Sequence, residues 1–182
     1  MVGSITTFIQ AGADRDPVPI PGLEVHPLTA FVDGRGSVTE IFRSTWGITA
    51  IHQWTVLTFE ARVVRGPAVH RKHSDAVIAL SGAIQIGLRD LREDSPAFRS
   101  PHRVALSSLQ PLLLVIPPGV MHAFYAATEP AVVLVGNTHE YDPEDDLKCR
   151  WQDVPLDLDE SVMGTQDDRA RALDDVIAAL RL

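Results

Sequence analysis

The sequence predicts an all-β body, a sandwich or barrel, with a short helix at its C-terminal end. Short runs rich in β-branched and aromatic residues follow one another. Gly, Pro and polar turn signals separate them, and helical periodicity is convincing only near the end of the chain. The first run, residues 37–43, follows the turn Asp33-Gly34-Arg35-Gly36. Residues 51–64 read as one long strand. Residues 76–88 pass through Ser81-Gly82, where a tight turn divides them into two strands. Shorter strands are expected at 102–106, 112–116, 123–127 and 132–135. Leu173, Val176, Ile177 and Leu180 fall at i, i+3, i+4 and i+7 and share one helix face. Asp167 and Asp168 are expected at the start of that helix, where its dipole favours negative charge. At the other end, Pro17, Pro19 and Pro21 make residues 1–22 an extended arm, suited to lie along a neighbouring subunit. No internal repeat, low-complexity segment or linker divides the chain, so residues 1–182 are expected to form a single domain.

A chain of 182 residues can bury a substantial core, and 45% hydrophobic with 22% charged residues is ordinary globular composition. The net charge of −8 leaves no basic surplus to neutralise a nucleic-acid backbone. No nucleic-acid partner is expected, although a local cluster of Arg or His can still hold a small anion. The one cysteine, Cys149, cannot close an internal disulfide and reads as a partly buried apolar residue. No segment approaches the ~20 apolar residues of a membrane span. A soluble, cytoplasmic protein without a membrane partner is the expectation.

Several segments together resemble the dTDP-4-keto-6-deoxyhexose 3,5-epimerase family. They are Asp33-Gly34-Arg35-Gly36 with Glu40-Ile41-Phe42, then Val64-Arg65-Gly66, and then Asp90-Leu91-Arg92-Glu93-Asp94-Ser95-Pro96-Ala97-Phe98. Ile116-Pro117-Pro118-Gly119-Val120-Met121-His122-Ala123-Phe124 comes next, and Thr138, Tyr141-Asp142-Pro143-Glu144 and Trp151-Gln152-Asp153 complete the series. The resemblance spans roughly residues 30–180 and implies a cupin jelly-roll barrel, usually a homodimer that shares strands between subunits. It also implies proton transfer beside a sugar ketone. A histidine takes the α-proton, an aspartate orients it and a tyrosine returns a proton on the other face.

The carry-over of these roles is uneven. The family's base lies three residues after the arginine, whereas here Arg65 is followed by Gly66-Pro67-Ala68-Val69-His70. Two extra positions along a strand keep the same face, so His70 still points inward. Aligned without a gap, the stretch resembles the nucleotide-sugar 3,4-ketoisomerases, with His70 as their second histidine and Ala68 in place of the first. The resemblance places the orienting carboxylate at Asp167, beside Asp168. It places the tyrosine acid at Val135, the family's lysine at Asp75 and a further aspartate at Ile86. Tyr125 and Tyr141 are candidates to replace the missing acid.

His70, Asp167 and His122 are therefore the expected catalytic groups. Arg65, Arg92, Tyr125, Tyr141 and Val135 are the expected substrate contacts. A buried Arg65 on a barrel strand would need an anion, a phosphate or an enolate oxygen, while Arg92 has nearby carboxylates in Glu93 and Asp94. His73, beside Arg71 and Lys72, reads as a solvated loop residue. His26, His52, His102 and His139 read as structural or exposed. No cofactor is expected for this chemistry. A resemblance to metal cupins offers the alternative of one divalent metal ion on His70, Asp75 and His122, a set that suits zinc or non-haem iron. The expected partner is a small-molecule substrate, a nucleotide-linked keto sugar. Replacement of polar family residues by Val135 and Ile86 leaves open a cofactor-independent natural-product cyclase on an apolar intermediate. A binding protein that has lost the chemistry also remains open.

Overall fold

The computed structural model describes residues 9–10, 19–156, 158 and 167–181. Along them run the strands β1 (Ile9–Gln10), β2 (Glu24–Pro27), β3 (Ala30–Asp33), β4 (Gly36–Thr39), β5 (Gln53–Phe59), β6 (Val63–Val69) and β7 (Asp75–Ser81). These are followed by β8 (Ala83–Asp90), β9 (Pro101–Ser107), β10 (Leu112–Ile116), β11 (Val120–Ala126), β12 (Ala131–Asn137), β13 (Leu147–Lys148) and the helix α1 (Leu173–Leu180). Two antiparallel sheets form the body, in the orders β1-β9-β8-β11-β6-β13 and β2-β10-β7-β12-β5. A separate two-stranded ribbon, β3-β4, pairs with neither. The expected all-β body with one short C-terminal helix is what the chain forms.

Side chains alternate across each strand, so each sheet has an inner and an outer face. Val77 and Ala79 of β7, Leu114 and Ile116 of β10, Ile84, Ile86 and Leu88 of β8, and Val133 of β12 meet between the sheets as one buried cluster. Each such Val, Leu or Ile side chain contributes about 1.5–3 kcal/mol on burial. The outer faces carry two further cores. Met121, Ala123 and Tyr125 of β11 are covered by Val154, Leu156 and the α1 residues Val176 and Ile177. Ala76, Ile78, Leu113 and Val115 are covered by Ile48, Phe42, Trp46 and Ile51. The predicted apolar face of α1 thus docks on the outside of the larger sheet.

Three boundaries differ from the sequence reading. Residues 51–64 are two strands, because the chain reverses at 60–62, where Arg62 adopts a left-handed φ of 65° and donates its N–H to the Ala126 carbonyl. No Gly or Pro marks that turn. Asp167 and Asp168 precede α1 instead of opening it, and its first turn carries Asp174 and Asp175. Of the predicted arm at 1–22, residues 1–8 and 11–18 lie outside the described residues, and β1 pairs with β9.

Candidate active site

At one end of the barrel the inward positions turn polar. On β5 the inner row runs from Gln53 and Thr55 through Leu57 to Phe59, which packs in the core. Asn137 at the end of β12 pairs in register with Gln53 on one side and with Asp75 at the start of β7 on the other. Gln53, Thr55, Leu57, Asp75 and Asn137 line a cavity of about 250 Å³. Arg65, Ala68, His70 and His73 line it as well, with His122 and Phe124 of β11, Val135, Tyr141, Asp146 and Lys148.

Arg65 and Ala68 both face this cavity although an odd number of positions separates them. An irregularity in the β6-β11 pairing, where Ala68 faces His122 and Arg65 faces Phe124, resets the alternation. Gly66 makes it possible. Its φ is 105°, and a Cβ there would sit 2.8 Å from the His122 carbonyl oxygen. The extra residues between Arg65 and His70 are thereby absorbed, and both side chains reach one cavity.

Three imidazoles converge on one carboxylate. His122 Nε2 lies 3.1 Å from Asp75 Oδ2, His70 Nε2 3.6 Å from the same oxygen, and His73 Nε2 3.3 Å from Asp75 Oδ1. The His70 and His73 rings stack with centroids 4.1 Å apart. Asn137 Nδ2 donates to Asp75 Oδ1 at 2.6 Å. Behind the rings, buried Asp145 accepts the Arg71 and Lys72 backbone N–H groups at 2.8 and 3.2 Å and contacts His73 Nδ1 at 3.1 Å. Asp145 thereby fixes the turn that carries all three residues.

Burial pushes the His70 imidazole down to about 4; the Asp75 charge opposes this, and His122 and His73 reinforce it. Burial also works against protonation of His73. The hydrogen bond and charge of Asp75, joined by those of Asp145, outweigh it and move that ring up. For Asp75, burial would raise the carboxyl, but hydrogen bonds from His122 and His73 hold it well below the usual range. A neutral ring thus stands beside a carboxylate that can compensate the charge it gains.

Among the described residues, two cations line this cavity. The Arg65 guanidinium lies 5.4 Å from the Phe59 ring centroid, and no carboxylate among the described residues pairs with it. Arg65 is exposed, not buried as the sequence suggested. Lys148 Nζ is bound to Asp146 Oδ1 at 2.7 Å.

The expected site residues divide into two groups. His70, His122, Arg65, Tyr141 and Val135 meet at the cavity. Three others do not. Asp167 pairs with Arg169 at 3.1 Å, and Asp75 is the carboxylate that contacts His70. Tyr125 points the opposite way from His122, into the outer core beneath α1. Arg92 is held by Asp90 at 2.7 Å and lines a separate groove. His73, read as a solvated loop residue, is buried. The sequence reading missed Asp145, Asn137 and Lys148; the proximity of 145 and 148 to the Tyr141-Asp142-Pro143-Glu144 motif was the available signal. Ligand atoms of His70, His73 and Asp75 all lie within 4.8 Å of one another, so His73 extends the alternative metal set.

Comparison with known proteins places this geometry in a context. The model of the dTDP-4-dehydrorhamnose 3,5-epimerase family matches residues 17–175. The chain is 28% identical over 141 residues to the spore coat polysaccharide biosynthesis protein SpsL of Bacillus subtilis, covering 75% of this chain and 93% of that protein. It is 30% identical over 131 residues to the probable low-salt glycan biosynthesis epimerase Agl13 of Haloferax volcanii, covering 69% and 83%. Its fold is that of ChmJ, a 3'-monoepimerase from Streptomyces bikiniensis solved with dTDP, with a TM-score of 0.79 over 87% of each chain at 19% identity.

Proposed function

The chain belongs to the dTDP-4-dehydrorhamnose 3,5-epimerase family, and from that premise we propose that it is an epimerase or isomerase moving a proton next to a ketone on a nucleotide-linked deoxysugar. One observation carries the proposal. His70, neutral at physiological pH, lines a cavity with Asp75 Oδ2 3.6 Å from its Nε2, and Arg65, without an ionic partner among the described residues, lines the same cavity. The Nε2 lone pair of His70 removes the proton α to the ketone, and Asp75 balances the imidazolium that forms. Arg65 holds a phosphate or the enolate oxygen. Tyr141, the one of the chain's two tyrosines that lines the cavity, returns a proton where the family tyrosine is replaced by Val135. His122 holds Asp75 in place. Side chains alone suffice for these steps.

Leu57, Ala68, Phe124 and Val135 give the cavity an apolar wall, which favours an apolar intermediate as a second reading. The charged groups that line the same cavity suit a sugar nucleotide better. We also propose a homodimer in the cytoplasm. The β3-β4 ribbon exposes Phe31, Val32 and Val38 at 65%, 77% and 68%, and Cys149 is buried and free. Sedimentation analysis returning a monomer at micromolar concentration would sink the dimer. No helix among the described residues is long and apolar enough to cross a membrane.

The activity is tested by NMR of dTDP-4-keto-6-deoxyglucose in heavy water with the purified protein. Deuterium is expected at the carbons next to the ketone. Its absence with folded protein overturns the reading.

A further inference from the structure

The histidine cluster has fewer hydrogens than acceptors. His70 Nδ1 faces the Asp145 carbonyl oxygen at 3.3 Å and its Nε2 faces Asp75 Oδ2 at 3.6 Å. His73 Nδ1 faces Asp145 Oδ2 at 3.1 Å and its Nε2 faces Asp75 Oδ1 at 3.3 Å. His122 Nδ1 faces the Val120 carbonyl oxygen at 3.2 Å and its Nε2 faces Asp75 Oδ2 at 3.1 Å. Carbonyl and carboxylate oxygens only accept, and a neutral imidazole carries one hydrogen. Three neutral rings therefore bring three hydrogens to six acceptor contacts. Protonating all three would set three positive charges against two carboxylates, Asp75 and Asp145, with two of the charges on rings stacked 4.1 Å apart. A single cation beside Asp75 resolves the shortage differently. Each Nδ1–H donates outward, and each Nε2 lone pair turns to the cation.

We propose that His70, His73, Asp75 and His122 form a binding site for one divalent transition-metal ion, and that the ion blocks proton transfer by occupying the Nε2 lone pair of His70. The donor set is three imidazoles and a carboxylate, which suits zinc or a neighbouring first-row metal and suits magnesium or calcium poorly. The ligand atoms of His70, His73 and Asp75 already lie within 4.8 Å of one another, and His122 Nε2 lies 3.1 Å from Asp75 Oδ2. The outer contacts are those of a supported metal site: each Nδ1 has its own acceptor, which fixes the ring and raises the basicity of Nε2. Asn137 steadies the carboxylate by donating to Oδ1, the oxygen that also faces His73. The blocking effect rests on His70 being the base; the binding site does not.

The test uses the full chain, stripped with a chelator and titrated with Zn²⁺ and with Co²⁺. One ion per chain is expected, with binding weakened about 100-fold or more in His73→Gln and His122→Gln. Ligation is read directly from ¹⁵N NMR of the histidine rings. Zn²⁺ is expected to shift Nε2 of His70, His73 and His122 and to leave the exposed His52 and His139 unmoved, a readout that needs no variant to fold. No binding by either ion, or shifts confined to His52 and His139, overturns the site. Deuterium exchange on the keto sugar is followed in parallel in stripped and Zn²⁺-loaded protein. Exchange that is lost at one equivalent and restored by chelator is the expected result. Exchange that persists in the fully loaded protein overturns the block. Metal binding without exchange in either form would leave the site standing and remove His70 as base, so the two failures are distinguishable.

Discussion

Two charged regions of this molecule lie close in sequence and differ in how completely their charges are matched. In the groove between α1 and the 91–94 loop, Arg92 is bound by Asp90, Arg181 by Glu93, and Arg71 by Asp145 at 3.5 Å. Ser95 Oγ also donates to Asp90 at 2.6 Å, so that buried carboxylate is fully engaged. In the barrel cavity, by contrast, Arg65 has no ionic partner among the described residues, and three imidazoles compete for one carboxylate. Matched charge builds the scaffold, because a buried ion that keeps its partner has nothing left to offer a ligand. Unmatched charge at a cavity marks the place where a ligand supplies what is missing.

Substitutions on either side sharpen this contrast. The largest effect is expected at Asp75. Asp75→Asn removes the compensating charge for His70 and should slow deuterium exchange about 10²–10³-fold, read by NMR under saturating substrate. Arg65→Gln is expected to weaken binding of the nucleotide sugar by about 10–100-fold, the size of one lost charge-assisted hydrogen bond, while changing the maximal rate little. Calorimetric titration separates the two quantities. In the groove the effect moves from activity to stability. Arg92→Gln leaves Asp90 buried without its partner and should cost about 2–3 kcal/mol in urea unfolding, with binding retained.

The smallest effect is one of pH. Because the His70 imidazole is pushed down to about 4, it stays neutral well below the range of an ordinary histidine. Exchange measured from neutral pH downward should hold nearly constant to about pH 5 and fall as His70 protonates. The stability linked to the same group has a definite sign. The unfolded histidine, near 6.5, takes up its proton first, so this contribution is full above about 6.5 and is lost as pH falls toward 4. His73, whose ring is moved up, contributes in the opposite sense, and its share is lost as pH rises through its folded value.

Much of this was legible in the sequence. Turn residues and β-branched runs gave most of the strands, and the ordered motifs gave the fold. Strand parity carried His70 across the extra residues into the cavity, although the inward reset at Gly66 required the structure. Tyr125 is an odd number of positions from His122, so on one strand the two must point to opposite faces, and Tyr125 lies in the outer core. His73 was hidden by its neighbours. Arg71 and Lys72 suggest a solvated loop, but their backbone N–H groups are bound by Asp145, more than 70 positions away, and the turn is pulled inward. Asp167 failed for a related reason. Its position before a helix says nothing about which cation is near, and Arg169, two residues on, pairs with it.

The most direct measurement compares two variants in one experiment. Deuterium incorporation into dTDP-4-keto-6-deoxyglucose is followed for His70→Gln and Arg92→Gln beside the parent chain, at a temperature where all three are folded. The account predicts loss of at least about 10²-fold in His70→Gln and exchange within about threefold of the parent in Arg92→Gln, since a surface-groove pair away from the reacting atoms has little leverage on the rate. Retained exchange in His70→Gln, or loss confined to Arg92→Gln, would contradict it.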